Sequence, residues 1–287
     1  MGVALVLGCG LVAFGPSLML WVVILGKRPA LVIIGLIGAF FWLASMAAAS
    51  VLWTILPASQ DGWVLTIITG VGLQSFGRIA LAKLYVKTEA VVNAAADAVP
   101  ASSAEELDGD GRHDSARGGG DSAGVGVRAG RRRRDEGDVS GQRHDPSGLL
   151  KLNGVSSSIA AGVGWGLIHA VILVGTALSK HTGPGAAFSP SCPQVPSVIV
   201  SALSAQAFVV LDLVLMAAAF AAARSGNAGL MCYCFGLHFS AALTTGFNFV
   251  EGGCAVSLPL LYAVVVVSAI ALARYGPLRS AMTRLRR

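Results

Sequence analysis

The amino-acid sequence predicts an all-α membrane protein, a bundle of seven transmembrane helices with a lumenal or extracellular N-terminus and a cytosolic C-terminus. Three observations carry this. The 287 residues are 54% hydrophobic and only 13% charged, with a mean hydropathy of +0.70, whereas about a quarter of the residues in a soluble domain are charged. The charge is crowded into residues 112–145, between two blocks that have long uncharged stretches. Those blocks contain seven apolar stretches of the ~20 residues that a span requires, at 4–26, 31–56, 63–86, 153–178, 197–223, 228–250 and 255–273. A soluble enzyme does not have this composition. The chain divides into 1–87 with spans one to three, a polar insert at 88–149, and 150–287 with spans four to seven and a short tail, the two outer segments forming one membrane domain.

The first stretch follows Met1 without a basic segment and runs for 23 apolar residues, so it reads as a retained span and not a cleaved signal peptide. Lys27 and Arg28 lie between spans one and two. Lys87, Arg112, Arg117, Arg128, Arg131 to Arg134 and Arg143 lie between three and four, and Arg224 between five and six; Arg279, Arg284, Arg286 and Arg287 follow span seven. The opposite loops, 57–62, 179–196 and 251–254, contribute only Lys180. Basic loops stay cytosolic, which fixes the orientation. The insert 88–149 is built from Ala, Ser, Gly, Asp and Arg with almost no aromatic or β-branched residues, a composition that cannot bury enough apolar surface to offset ordering entropy. It is predicted to be disordered. Arg131 to Arg134 are either a solvated topogenic run, followed at once by Asp135, Glu136 and Asp138, or a site for anionic lipid or a partner.

Spans four to seven are rich in Gly, Ala and Ser, which lets helix backbones approach closely in lipid. Gly154, Ser158, Gly162 and Gly166 recur every four residues and share one face, drifting by about 40° per step. This groove fits either a partner helix or a neighbouring span of the same chain. Ionisable residues inside a membrane are costly unless paired or hydrated. Arg78 and Lys83, in the cytosolic half of span three, are read as snorkelling to the headgroups. Asp212 in span five and His238 in span six have no such explanation. Each lies thirteen residues from Ser225, about 20 Å of helix, so both reach one depth. They are predicted to form an intramembrane polar pair. His169 in span four has no evident ionisable partner and reads as a hydrogen-bonded packing residue.

Catalytic constellations are missing. An aspartyl intramembrane protease needs two embedded carboxylates, and Asp212 is the only one well inside a span; neither a Gly-x-Ser-x-Gly turn nor His-Glu-x-x-His is found. Span seven has no Lys for a retinal Schiff base, and the acidic-Arg-Tyr and Asn-Pro-x-x-Tyr motifs of G-protein-coupled receptors are absent. Cys9, Cys192, Cys232, Cys234 and Cys254 have no metal-site spacing. Cys192 and Cys254 share the oxidising face, which leaves a disulfide between them open; the other three read as free thiols. No metal, cofactor or nucleic-acid partner is assigned.

The blocks Gly8-Cys9 with Val12-Ala13-Phe14-Gly15-Pro16, and Gly38-Ala39-Phe40-Phe41-Trp42-Leu43 with Ala49-Ser50-Val51-x-Trp53, resemble the anterior-pharynx-defective (Aph) subunit of γ-secretase. Leu73-Gln74-x-x-x-Arg78, the Gly154 ladder, Gly236-Leu237-His238, and Ser257-Leu258-Pro259 through Tyr262-Ala263-Val264 with Gly276-x-Leu278-Arg279-Ser280 extend the resemblance through all seven spans, outside the insert. The resemblance implies a non-catalytic scaffold in the endoplasmic reticulum, Golgi and later membranes. Its partners would be a presenilin-like aspartyl protease, a nicastrin-like ectodomain subunit and presenilin enhancer, in a complex that processes type I membrane proteins, Notch signalling included. It places the family's Gly-xxx-Gly-xxx-Gly on Gly154, Ser158 and Gly162, and its two membrane histidines on Asp212 and His238, the first being replaced. The alternative class is a stand-alone channel or transporter with Asp212 and His238 as its polar path.

Overall fold

The computed structural model describes residues 3–26, 28–56, 63–98, 154–179 and 188–275. Seven helices are long and apolar enough to cross a membrane: α1 (Val3–Leu20, continued by a π-helical turn Trp21–Leu25), α2 (Pro29–Ile55), α3 (Trp63–Ala98), α4 (Gly154–Ser179), α5 (Ser197–Ser225), α6 (Ala228–Thr245, continued by a 3-10 turn Gly246–Phe249) and α7 (Cys254–Tyr275). The chain is an integral, multi-pass membrane protein. It divides into two compact units, residues 1–88 with 153–287, and residues 89–152. Of the second unit only the last turns of α3 lie among the described residues.

Local chemistry explains several boundaries. Pro29 opens α2 at its first turn, where a missing N–H costs nothing. Gly226 closes α5 in the left-handed region at φ 63°, its N–H bonded to the Ala222 carbonyl. Asn227 then caps α6, its Oδ1 accepting from the Leu230 N–H at 3.1 Å. This stop and start, side by side, set the tight α5–α6 hairpin.

Two features differ from the sequence reading. The third helix does not end near residue 86 but runs to Ala98, because the residues beyond Lys87 are mostly helix-favouring and no Gly or Pro intervenes before Pro100. The predicted insert therefore begins with helix, and its remainder, 99–149, lies outside the described residues. The loop after α4 contains a small antiparallel hairpin, β1 (Phe188–Ser189) with β2 (Cys192–Pro196), pairing Phe188 with Pro196 and Ser189 with Cys192. A disulfide between Cys192 and Cys254, with Cα atoms 5.9 Å apart, ties β2 to the first turn of α7. Cys9, Cys232 and Cys234 are free thiols.

The helices are held in two ways. α4 is the hub of close backbone packing, lying against α5 and α2. A Cβ on Gly164 would overlap the Gly35 carbonyl of α2, and one on Gly38 would overlap the Ala161 carbonyl of α4. In lipid, where no hydrophobic force drives helices together, such approach supplies the dispersion contacts. α3 is not among the closely packed backbones and is joined through side chains. Trp53 Nε1 donates to Thr69 Oγ1 at 2.9 Å, and the Tyr85 hydroxyl to Ser157 Oγ at 2.7 Å. Gln74 Nε2 donates to Met46 Sδ at 3.0 Å, and the Tyr85 ring lies 4.9 Å from that of Phe220; the charged tie of α3 passes through Arg78.

Candidate functional site: an ionic cluster joining four helices

Arg78 is 1% exposed, and Asp212 is fully buried. An Arg78 Nη donates to Asp212 Oδ1 in a direct ion pair, and the guanidinium lies 4.9 Å over the Trp165 ring, a cation–π contact. The second carboxylate oxygen accepts from His169 Nδ1 at 2.8 Å. The His169 ring is held between Trp42 and Phe208, at centroid distances of 5.3 and 4.8 Å. His238 Nδ1 lies 3.4 Å from the other Arg78 Nη and 3.5 Å from Ser75 Oγ.

The cluster therefore takes Arg78 and Ser75 from α3, Trp165 and His169 from α4, Asp212 from α5 and His238 from α6. Asp212 and His238 do come into one cluster, but not as the predicted direct pair, since Arg78 stands between them. Arg78 does not snorkel. Its guanidinium is turned into the bundle, where it pairs with the Asp212 carboxylate. His169 is likewise no simple packing residue, because it supplies half of the ligation of Asp212. Lys83, by contrast, is exposed.

The sequence held one unused signal. Arg78 lies 15 residues from the start of α3 at Trp63, and Asp212 15 from the start of α5 at Ser197. Two helices running in the same direction thus bring a cation and an anion to one depth, about 22 Å along each axis.

Above the cluster is a cavity of about 370 Å³, lined by Gln74, His169, Ser189, Ser204, His238 and Asn248 among others. Gln74 Oε1 and Asn248 Oδ1 are buried with no donor among the described residues. A space that is polar and far larger than one water can hold solvent. The chemistry available is hydrogen bonding around a neutralised ion pair.

The Gly154, Ser158, Gly162 and Gly166 face is turned toward α5 of the same chain. A Cβ on Gly162 would come 3.0 Å from Leu213 Cα, and one on Gly166 3.2 Å from Val209 Cα. Ser158 is buried, and the Arg224 guanidinium occupies the space beside Gly154. The groove open to a partner helix in the sequence reading is thus occupied from within. Gly164, on the adjoining face against α2, was not singled out there, because the pattern followed only the four-residue repeat.

Fold and cluster together define a polytopic membrane protein whose buried charges are spent on one another. The family model described as Aph-1 protein matches residues 4–276, and the chain belongs to the Aph-1 family. It is similar to the γ-secretase subunit APH1-like of Arabidopsis thaliana, 28% identical over 274 residues, covering 94% of this chain and 92% of the relative. It is also similar to the γ-secretase subunit APH-1B of Mus musculus, 34% identical over 96 residues, covering 30% and 37% of the two chains. A match of 97 residues at 30% identity, covering 32% of this chain and 30% of the relative, is to the γ-secretase subunit aph-1 of Caenorhabditis elegans.

Proposed function

We propose that the chain is a non-catalytic scaffold subunit of a γ-secretase complex, which binds nicastrin-like and presenilin-like subunits and stabilises the assembly in endoplasmic reticulum, Golgi and later membranes. The observation that carries the structural, non-catalytic role is the engagement of both oxygens of Asp212 by side chains of its own chain. Both oxygens of this carboxylate are bound by Arg78 and His169 of the same chain, and Asp212 is the one fully buried carboxylate among the described residues. A general acid or base needs an oxygen free to meet substrate. The Cys192–Cys254 disulfide supports a lumenal placement of β2 and the first turn of α7, which carry it, since structural disulfides persist in oxidising compartments. With seven spans, this reading has the N-terminus on that same side and the C-terminus in the cytosol.

The test is affinity purification of the full chain in mild detergent, with mass spectrometry of the co-purifying proteins. An aspartyl membrane protease and a large glycosylated ectodomain protein are expected in near-stoichiometric yield; a chain recovered alone refutes the scaffold. The cavity over the cluster favours a second reading, a channel or transporter using Asp212 and His238. On that reading Asp212→Leu abolishes an ion flux in proteoliposomes and leaves co-purification unchanged.

A further inference from the structure

At the far end of the α5–α6 hairpin from the disulfide, three helices part to leave a second cavity of about 270 Å³. Ala218 of α5 and Ala271 of α7 provide little bulk on two sides, while Leu230, Tyr233 and Leu237 of α6 form the third wall. These three recur at helical spacing on one face of α6. The one hydroxyl on the α7 side, Ser268, donates to the Val264 carbonyl at 2.6 Å and asks nothing of an occupant. The lining is otherwise aliphatic or aromatic, and an ordered water needs two to four polar partners that such a lining does not supply. Every wall belongs to a membrane span, so the medium beside the opening is hydrocarbon.

The wedge has a direction. It starts at Leu230 in the first turn of α6 and near Leu272, close to the end of α7, and extends to Leu237. That is about 10 Å along the axis, two-thirds of a hydrocarbon leaflet of roughly 15 Å. Arg274 lies three residues beyond Ala271, on the same face of α7 one turn nearer the membrane surface. It is exposed, with no acidic partner among the described residues. A slot for hydrocarbon that ends beneath a guanidinium matches a lipid tail beneath its phosphate, and Arg binds phosphate through charge-assisted hydrogen bonds.

We infer that the α5–α6–α7 wedge holds one acyl chain of a membrane phospholipid whose phosphate engages Arg274. The full chain, reconstituted in nanodiscs with a phosphatidylglycerol carrying a diazirine in its acyl chain, is photolysed, and labelled peptides are mapped by mass spectrometry. Label is expected to concentrate on Leu230–Leu237 and Ser268–Leu272. Ala271→Trp fills the wedge and lowers that label at least fivefold; Ala218→Leu, a milder filling, lowers it less. Arg274→Gln leaves the wedge open but reduces several-fold the phospholipid retained through delipidation, read by native mass spectrometry. Thermal unfolding and the intact Cys192–Cys254 bond report that each variant is folded. Label spread evenly over all seven helices, equal label on folded Ala271→Trp, or capture of another protein in place of lipid each overturns the inference.

Discussion

Replacing Asp212 by Leu isolates the ion pair that joins α3 to α5. The Arg78 guanidinium is 1% exposed and would keep only the Trp165 face and one nitrogen of His238. Removing one partner of a buried pair costs about 3–5 kcal/mol, because the other charge stays buried without compensation. That is a large part of the 5–15 kcal/mol by which a protein is usually stable. At 2–4 °C per kcal/mol for a chain of this size, the unfolding midpoint should fall by roughly 6–20 °C. The assay is thermal unfolding of the purified protein in detergent, followed by fluorescence-detected size exclusion. The decisive variant is the double change Arg78→Met with Asp212→Leu. It removes both charges and should recover more than half of the loss, since apolar replacement of an entire buried pair is often neutral. Asp212→His, which the family resemblance alone would favour, should resemble Asp212→Leu, because imidazole supplies no counter-charge to Arg78. An unchanged midpoint for Asp212→Leu, or a double variant no better than the single, would refute the reasoning.

Gly164→Ala should cost about 1–3 kcal/mol, as overpacking does, because its Cβ would strike the Gly35 carbonyl. Gly175→Ala in the same helix meets nothing within 4 Å and should be neutral or stabilising by up to about 1 kcal/mol; equal thermal shifts for the two would contradict the packing. Cys192→Ser and Cys254→Ser should each abolish the gel-mobility shift on reduction and destabilise by about 2–5 kcal/mol. A glycosylation acceptor placed within 183–191 should be modified in cells and one within 110–140 should not, with the reverse pattern inverting the topology.

The seven spans were legible because a ~20-residue apolar run has few other physical explanations, and their order needed no tertiary information. The end of α3 was not, since an Ala-rich polar segment satisfies helix propensity as readily as it signals departure from the membrane. The cluster was half legible. Asp212 and His238 stood out because neither could reach water, whereas Arg78 carries a long stem that offers an easy alternative, and depth along a helix does not reveal rotation about it. The Gly154 repeat announced close packing correctly in kind. Which helix it meets depends on the crossing of α4 and α5, and a repeat of small residues is compatible with any neighbour.

The ion pair also sets a schedule for synthesis. Arg78 and Asp212 are separated by 134 residues, so a ribosome adding roughly 5–20 residues per second completes Asp212 on the order of ten seconds after Arg78. Throughout that interval the guanidinium lacks the counter-ion it has in the finished protein. Its cheapest station is then the headgroup layer, reached by its flexible stem. The guanidinium can be buried against its counter-ion only once α5 has been made. Any residues added between spans three and four lengthen the wait.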